Sequence, residues 1–254
     1  MSGEKNEGDP TGGPAPLPPS SWVFASDGWP DDDCVAAGAD LEPATLVEAY
    51  RNGLFPMPND DVLLWWSPLE RGVLEPGRLR VSRSLRRSLR RFAMTVDQDF
   101  ESVVAGCADP RRPGGWITDD IAHAYTRLHE LGWAHSVEIR NPDDGVLVGG
   151  LYGLAVGRLF AGESMFHRVT DASKAALVGL VNILESQAGD DYLIDTQCRT
   201  AHLGSLGVTS LDRDAYVARI APLVRAEPVD WQAPAQTDSP RHGPVGYWNY
   251  ADYS

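Results

Sequence analysis

Two carboxylates and one amide, Glu163, Asp195 and Gln197, stand in stretches otherwise apolar enough to be buried: Leu-Phe-Ala-Gly-Glu-Ser-Met-Phe over 159–166 and Leu-Ile-Asp-Thr-Gln-Cys over 193–198. A buried polar group needs a partner or a task. Carboxylates in such surroundings can hold a proton or attract a positive charge, and the competing reading is a structural acid paired with an arginine. Both stretches read as strands, where residues two apart share a face. Ala161, Glu163 and Met165 are therefore expected on one side, with Phe160, Ser164 and Phe166 alternating less regularly with the other. Asp195 and Gln197 are expected on one face of their strand, with Ile194 and Thr196 opposite.

Between the two strands lies an amphipathic helix, capped by Asp171 or Thr170, whose Leu177, Leu180, Val181 and Leu184 recur at helical spacing. Upstream the period is two: Ser136 to Arg140, an Asn-Pro-Asp-Asp-Gly turn, Val146 to Val156, and a turn at Gly157 and Arg158 make an antiparallel meander. Gly149, Gly150, Gly153 and Gly157 lack a following Gly-Lys-Ser/Thr, so close backbone approach or bulges explain them better than a phosphate loop. Thr118 caps a helix with Ile121, Tyr125 and Leu128 inward and Gly132 as its stop. Nearer the N-terminus, Pro43 opens a short helix ended by Gly53 and Pro56, and an aromatic, proline-punctuated segment with a short strand comes after it. Short helices are also expected around His202 to Leu206 and Arg213 to Val224. The whole reads as an α+β chain: a disordered tail over 1–20, a small N-terminal domain over 21–69, a main domain over 70–232 and a C-terminal tail over 233–254.

At 254 residues and 43% hydrophobic content the chain can bury a proper core. Cys34, Cys107 and Cys198 are widely spaced and odd in number, which argues against a disulfide framework or a zinc site, and His123, His129 and His135 lack metal-ligand spacing. An acidic, Pro/Gly-rich start is unlike a signal peptide, and the longest apolar run, Ala175 to Leu184, contains Asn182. A cytoplasmic protein with no membrane association is the expectation. The net charge is −14, yet residues 78–91 carry seven arginines and no acid, so −14 less +7 leaves −21 for the rest. Ser82 caps a helix running to about Phe92, with Leu85, Leu89 and Phe92 buried and Arg83, Arg86, Arg87, Arg90 and Arg91 outward. A solvated helix would interleave acids, so this face points to a nucleic-acid backbone.

Eight motifs in order carry a family resemblance: Gly-Leu-Phe-Pro (53–56), Leu-Trp-Trp-Ser-Pro (64–68), Trp-Ile-Thr (116–118), Leu-His-Glu-Leu-Gly (128–132), Gly-Gly-Leu-Tyr-Gly (149–153), Gly-Glu-Ser-Met-Phe (162–166), Ala-Ser-Lys-x-Ala-Leu (172–177) and Leu-Ile-Asp-x-Gln (193–197). Over about residues 40–210 the chain resembles the bacterial leucyl/phenylalanyl-tRNA–protein transferases. The resemblance implies a small N-terminal domain and an acetyltransferase-like (GNAT-type) C-terminal domain. It implies transfer of Leu, Phe or Met from aminoacyl-tRNA to the α-amino group of proteins beginning with Arg or Lys, which marks them for degradation through the N-degron pathway. Neither metal nor coenzyme A is implied, and a monomer is expected.

By the same resemblance Asp195 and Gln197 attract and orient the acceptor amine, and Glu163 lies near the amino group or ester of the donor. An aminoacyl ester is already activated, so its aminolysis needs a neutral amine, an aligned carbonyl and a route for one proton, with no covalent nucleophile. Leu151, Met165 and Leu180 line the side-chain pocket, with Gly162 allowing close approach of the donor backbone. Trp116 and Tyr125 flank the terminal adenosine. Met57 occupies a place where family members often carry Trp. Two rivals keep other classes open: a coenzyme A-dependent N-acetyltransferase, against which stands the missing Arg/Gln-x-x-Gly-x-Gly/Ala loop, and a non-catalytic RNA-binding module, which leaves Asp195 and Gln197 unexplained.

Overall fold

The computed structural model describes residues 13–59, 62–112 and 115–232, with the backbone of 248–249. The first unit comprises β1 (Cys34–Ala37), α1 (Pro43–Arg51), β2 (Phe55–Asn59) and β3 (Val62–Trp66). Its three strands form an antiparallel sheet in the order β1-β3-β2, with Trp66 opposite both Cys34 and Phe55. Pro43 opens α1, and Gly53 at φ +84 turns the chain out of it, as its lack of a Cβ allows.

The larger unit continues with β4 (Glu70–Leu74), α2 (Arg83–Leu89), β5 (Ala93–Val96), α3 (Phe100–Cys107), α4 (Asp119–Glu130), β6 (Ala134–Arg140), β7 (Leu147–Val156) and β8 (Leu159–His167). It ends with α5 (Ala172–Ala188), β9 (Leu193–Asp195), α6 (Ala201–Ser205), β10 (Thr209–Asp212), α7 (Arg213–Leu223) and β11 (Trp248–Asn249). Eight strands lie in the order β10-β4-β9-β8-β7-β6-β5-β11, and every neighbouring pair is antiparallel except β8 with β9. The apolar side chains of α5 and α2 pack on one face with Val137, Ile139 and Phe160, while α1, α3 and α4 cover the other with Tyr152, Leu154 and Ala161. The expected α+β arrangement, a small N-terminal unit and then a larger one, is what the chain forms.

Several local expectations hold with their physical cause. Ser82 accepts from the Leu85 amide and Thr118 from the Ile121 amide, so both helices start where a capping oxygen was available. The meander is β6-β7-β8. Other details differ. The helix after Ser82 stops at Leu89, although Phe92 is still buried. Asp171 precedes α5 at φ +72 but makes no capping bond, because its carboxylate accepts from Lys174 and from Ser88 of α2. Residues 13–19, expected within a disordered tail, lie against α4: Ala15 donates to Leu131 and its carbonyl accepts from the Trp133 indole. Residues 1–12 and most of 233–254 lie outside the described residues.

Two irregularities of the sheet decide where its polar side chains point. Tyr152 pairs with Ser164 but Gly153 pairs with Gly162, so Glu163 is the extra residue of a β-bulge. Glu163 and Ser164 thereby face the same side, and the alternation beyond them is reversed. Met165 packs with the α5 cluster while Ala161 and Phe166 pack on the α3/α4 side, which corrects the expected shared face of Glu163 and Met165. Secondly, β8 and β9 pair over only three positions, ending at Ala161 with Asp195; β9 stops there and β8 runs on to His167. The sheet opens at that point. Asp195 and Gln197 do not share a strand face, since Gln197 lies past the strand at φ +57.

The bulge depends on an absent side chain. A Cβ at Gly153 would stand 2.2 Å from the Ala161 carbonyl oxygen and 2.6 Å from the Phe160 ring. Gly153→Ala is expected to destabilise the protein by about 3 kcal/mol or more through overpacking against backbone, as measured by urea denaturation; a midpoint equal to that of the parent would show that the bulge relaxes freely.

Candidate active site at the strand gap

Glu163 enters the gap from the bulge and is buried. Its Oε1 accepts from the Tyr50 hydroxyl at 2.6 Å and from the Gln197 side-chain amide at 3.2 Å, while Tyr50 is also hydrogen-bonded to Tyr125. Each phenol has one proton; since Tyr50 donates to Glu163, Tyr125 donates to Tyr50. Oε2 of Glu163 and the hydroxyl of Tyr152 are buried with no protein partner among the described residues. Burial raises the Glu163 carboxyl to about 8; the Tyr50 hydrogen bond opposes that shift and the charge of Asp195 adds to it. One oxygen of Glu163 therefore stays without a hydrogen bond among the described residues.

Asp195 is differently employed. It is fully enclosed, and Oδ1 accepts from Arg71 Nε at 2.9 Å and from the Gln197 backbone amide at 2.8 Å. Oδ2 accepts from Arg71 Nη2 at 2.6 Å and from the Tyr216 hydroxyl at 2.7 Å. Four donors thus share its two oxygens, and the carboxylate is not exposed. In this arrangement both oxygens of Asp195 face protein donors. The arginine-paired carboxylate that stood as the competing reading is the one the fold builds.

Gln197 is half-buried beside Glu163, and its side chain reaches that acid because the chain turns through a left-handed residue rather than continuing as strand. Gly162 borders the same opening: a Cβ there would meet Asp195 O at an ordinary 3.5 Å, so the glycine leaves space between the diverging strands. Leu151 and Met165 are cross-strand partners, and both pack in one cluster with Leu180 of α5. These three are together as expected, on the face opposite Glu163.

Trp116 and Met57 are half-buried at the margin of the α3/α4 cluster. Tyr125, expected beside the terminal adenosine, is fully buried, edge-on to Tyr152 with its hydroxyl on Tyr50. On α2 and the turn after it, Arg83, Arg86, Arg87, Arg90 and Arg91 are exposed, and among the described residues none is ion-paired. Arg71, Tyr216 and Tyr50 were missed from the sequence. Arg71 stands in Leu-Glu-Arg-Gly-Val, which shows no strand periodicity, whereas Tyr216 and Tyr50 read as ordinary helix core.

A family profile described as Leucyl/phenylalanyl-tRNA protein transferase matches residues 73–221, and one described as Leucyl/phenylalanyl-tRNA protein transferase N-terminal domain matches residues 39–69. A leucyl/phenylalanyl-tRNA–protein transferase of Aromatoleum aromaticum is 53% identical over 195 residues, covering 75% of this chain and 81% of the relative. Similarly named proteins of Stutzerimonas stutzeri and Shewanella halifaxensis are 50% and 48% identical. They cover 78% and 72% of this chain and 89% and 78% of their own lengths.

The raised carboxyl of Glu163 has a consequence for stability. Between the ordinary value of 4.5 and about 8, the folded chain keeps a proton that the unfolded chain releases. Stability from this group is complete below the lower value and is lost as pH rises through the window. Glu163→Gln, which cannot ionise, is expected to remove that decline; denaturant titrations at the two ends of the window check it, and parallel pH profiles for the two proteins would contradict it.

Proposed function

The chain belongs to the leucyl/phenylalanyl-tRNA protein transferase family, and from that premise we propose that it transfers an aminoacyl group from aminoacyl-tRNA to the α-amino group of a protein. The observation that carries this reading is the Glu163–Gln197 pair at the strand gap, with the buried Glu163 Oε2 left without a protein partner. The acceptor nitrogen attacks the ester carbonyl carbon, the bond to the ribose oxygen of the terminal adenosine breaks, and an amide forms. One proton leaves the nitrogen and one is gained by the ribose oxygen. Glu163 Oε2 meets the donor's amino group. Gln197 donates its Nε2–H to Glu163, which leaves its amide oxygen to accept from the incoming amine. Much of the acceleration is positional, since the ester is already activated. Asp195 serves the site through Gln197.

Donors are Leu, Phe and Met, held in the apolar cluster of Leu151, Met165 and Leu180, with Gly162 beside the donor backbone. That cluster has no hydrogen-bonding group for a side chain, so selection is by size and branching, about 1 to 3 kcal/mol per methylene-sized misfit. Trp116 and Met57 border the terminal adenosine. The five arginines on and after α2 hold the tRNA backbone. Acceptors begin with Arg or Lys, and the product enters the N-degron pathway of the cytoplasm. We assign a monomer and an acetyltransferase-like fold to the larger unit, with the division between units near residue 69. The opening of a parallel strand pair beside the site supports that fold. No helix among the described residues is long and apolar enough to cross a membrane.

The test is transfer of label from one tRNA charged in turn with Leu, Phe, Met, Ile or Val to a peptide beginning with Arg. Label is expected in the peptide for Leu, Phe and Met, with Ile and Val poor because of branching at Cβ. A coenzyme A-dependent N-acetyltransferase or a non-catalytic RNA-binding module would leave all of it on the tRNA. Each of Arg83, Arg86, Arg87, Arg90 and Arg91→Ala is expected to reduce the salt dependence of tRNA affinity by about one phosphate contact, with transfer from a minimal aminoacyl-adenosine unchanged. Equal losses with both donors would remove the arginines from the tRNA site.

A further inference from the structure

We infer that Arg71 and Tyr216 are positioning residues for Gln197, acting through Asp195. The inference rests on the transfer reading only for its effect on turnover. Arg71 is fully buried and presents its fork to both oxygens of Asp195. Its guanidinium carbon lies 4.7 Å from the centre of the Phe55 ring and 4.5 Å from that of Tyr216, and Nη1 donates to the Gly53 carbonyl at 3.2 Å. The side chain is therefore gripped by the N-terminal unit on one side and by α7 on the other. A buried ion pair contributes little net stability against an apolar replacement, because desolvation offsets attraction. Geometry is the better account of it here.

What the pair holds is a turn. Asp195 Oδ1 accepts from the Gln197 amide, so the carboxylate folds back over the next two residues of the chain. Gln197 takes φ +57, a conformation unfavourable for a residue with a side chain and kept only where the surroundings impose it. The turn is laced to β4 by Thr196 N to Gly72 O at 2.9 Å and Gly72 N to Gln197 O at 3.0 Å. A Cβ on Gly72 would lie 2.5 Å from the Cys198 carbonyl carbon, so the backbones are in contact. From this turn, and not from an extended strand, the Gln197 amide arrives at Glu163. Tyr216 adds the fourth donor to the same carboxylate and, among the described residues, hydrogen-bonds to neither Glu163 nor Gln197, so its influence on the reaction passes through Asp195 and the Arg71 that grips it.

Arg71→Lys keeps the charge and loses the fork, but such a change in a fully buried site could unfold the protein; Tyr216→Phe removes a single hydroxyl and is the decisive variant. Steady-state transfer from leucyl-tRNA should show kcat lowered about tenfold by Tyr216→Phe with KM for the donor unchanged, the loss of one hydrogen bond to a charged group. In a Gln197→Ala background the same substitution should cost nothing further. Equal, additive losses in the two backgrounds would overturn the proposal, since a general structural role does not depend on Gln197. Hydrogen exchange of the Gln197 amide reads the clamp without turnover. Tyr216→Phe should lose protection there and retain it across β6 and β7, whereas unchanged protection at Gln197 would overturn the clamp. Absence of transfer by the parent protein would sink the functional reading alone, with the exchange measurement still deciding this one.

Discussion

Two acids that share one gap in a sheet cannot both be ionised without compensation, because charge is poorly screened where water is excluded. The fold resolves Glu163 and Asp195 in different ways. Asp195 receives a buried arginine and three further donors between its own turn, Tyr216 and the second arm of the guanidinium. Among the described residues Glu163 receives hydroxyl and amide donors but no ion pair, and burial pushes its carboxyl up to about 8.

Much of the architecture serves to supply those partners. Arg71 must come from β4, which leaves the N-terminal unit and enters the large sheet directly beside β9. Gly53 and Phe55 complete its surroundings from the first unit, so the seat of the arginine is also a junction between the two units. Tyr50 reaches Glu163 from α1, on the sheet face that this acid shares with Ala161. The N-terminal unit is thus part of the site.

Charge is separated on a larger scale as well. An acidic body that would repel a polyanion carries a basic stripe on and after α2 that makes no ion pair among the described residues, and Ser88 of α2 is bonded to Asp171 at the start of α5. The apolar donor cluster is built from α5 and the strands beneath it. The arginine-bearing surface and the apolar cluster of Leu151, Met165 and Leu180 are therefore joined through one helix.

The sequence by itself determined whatever depends on near neighbours or on ordered motifs. Helix starts at Pro43, Ser82 and Thr118, the meander and the exposed arginines come from spacing or from residues a few positions apart, and the ordered motifs carry the family resemblance, which implied that Glu163 and Gln197 belong together. Periodicity also implied a strand through Gln197 and a shared face for Glu163 and Met165, and both failed for one reason. Where a strand ends and where it bulges is set by the strand it pairs with, and that partner is not encoded in local alternation. Likewise the acid character of Asp195 was legible, but not which of 22 basic residues would meet it. Arg71 lies 124 positions away in a segment without periodic signal. Only the tertiary structure, by laying β4 against β9, decided that Asp195 meets Arg71.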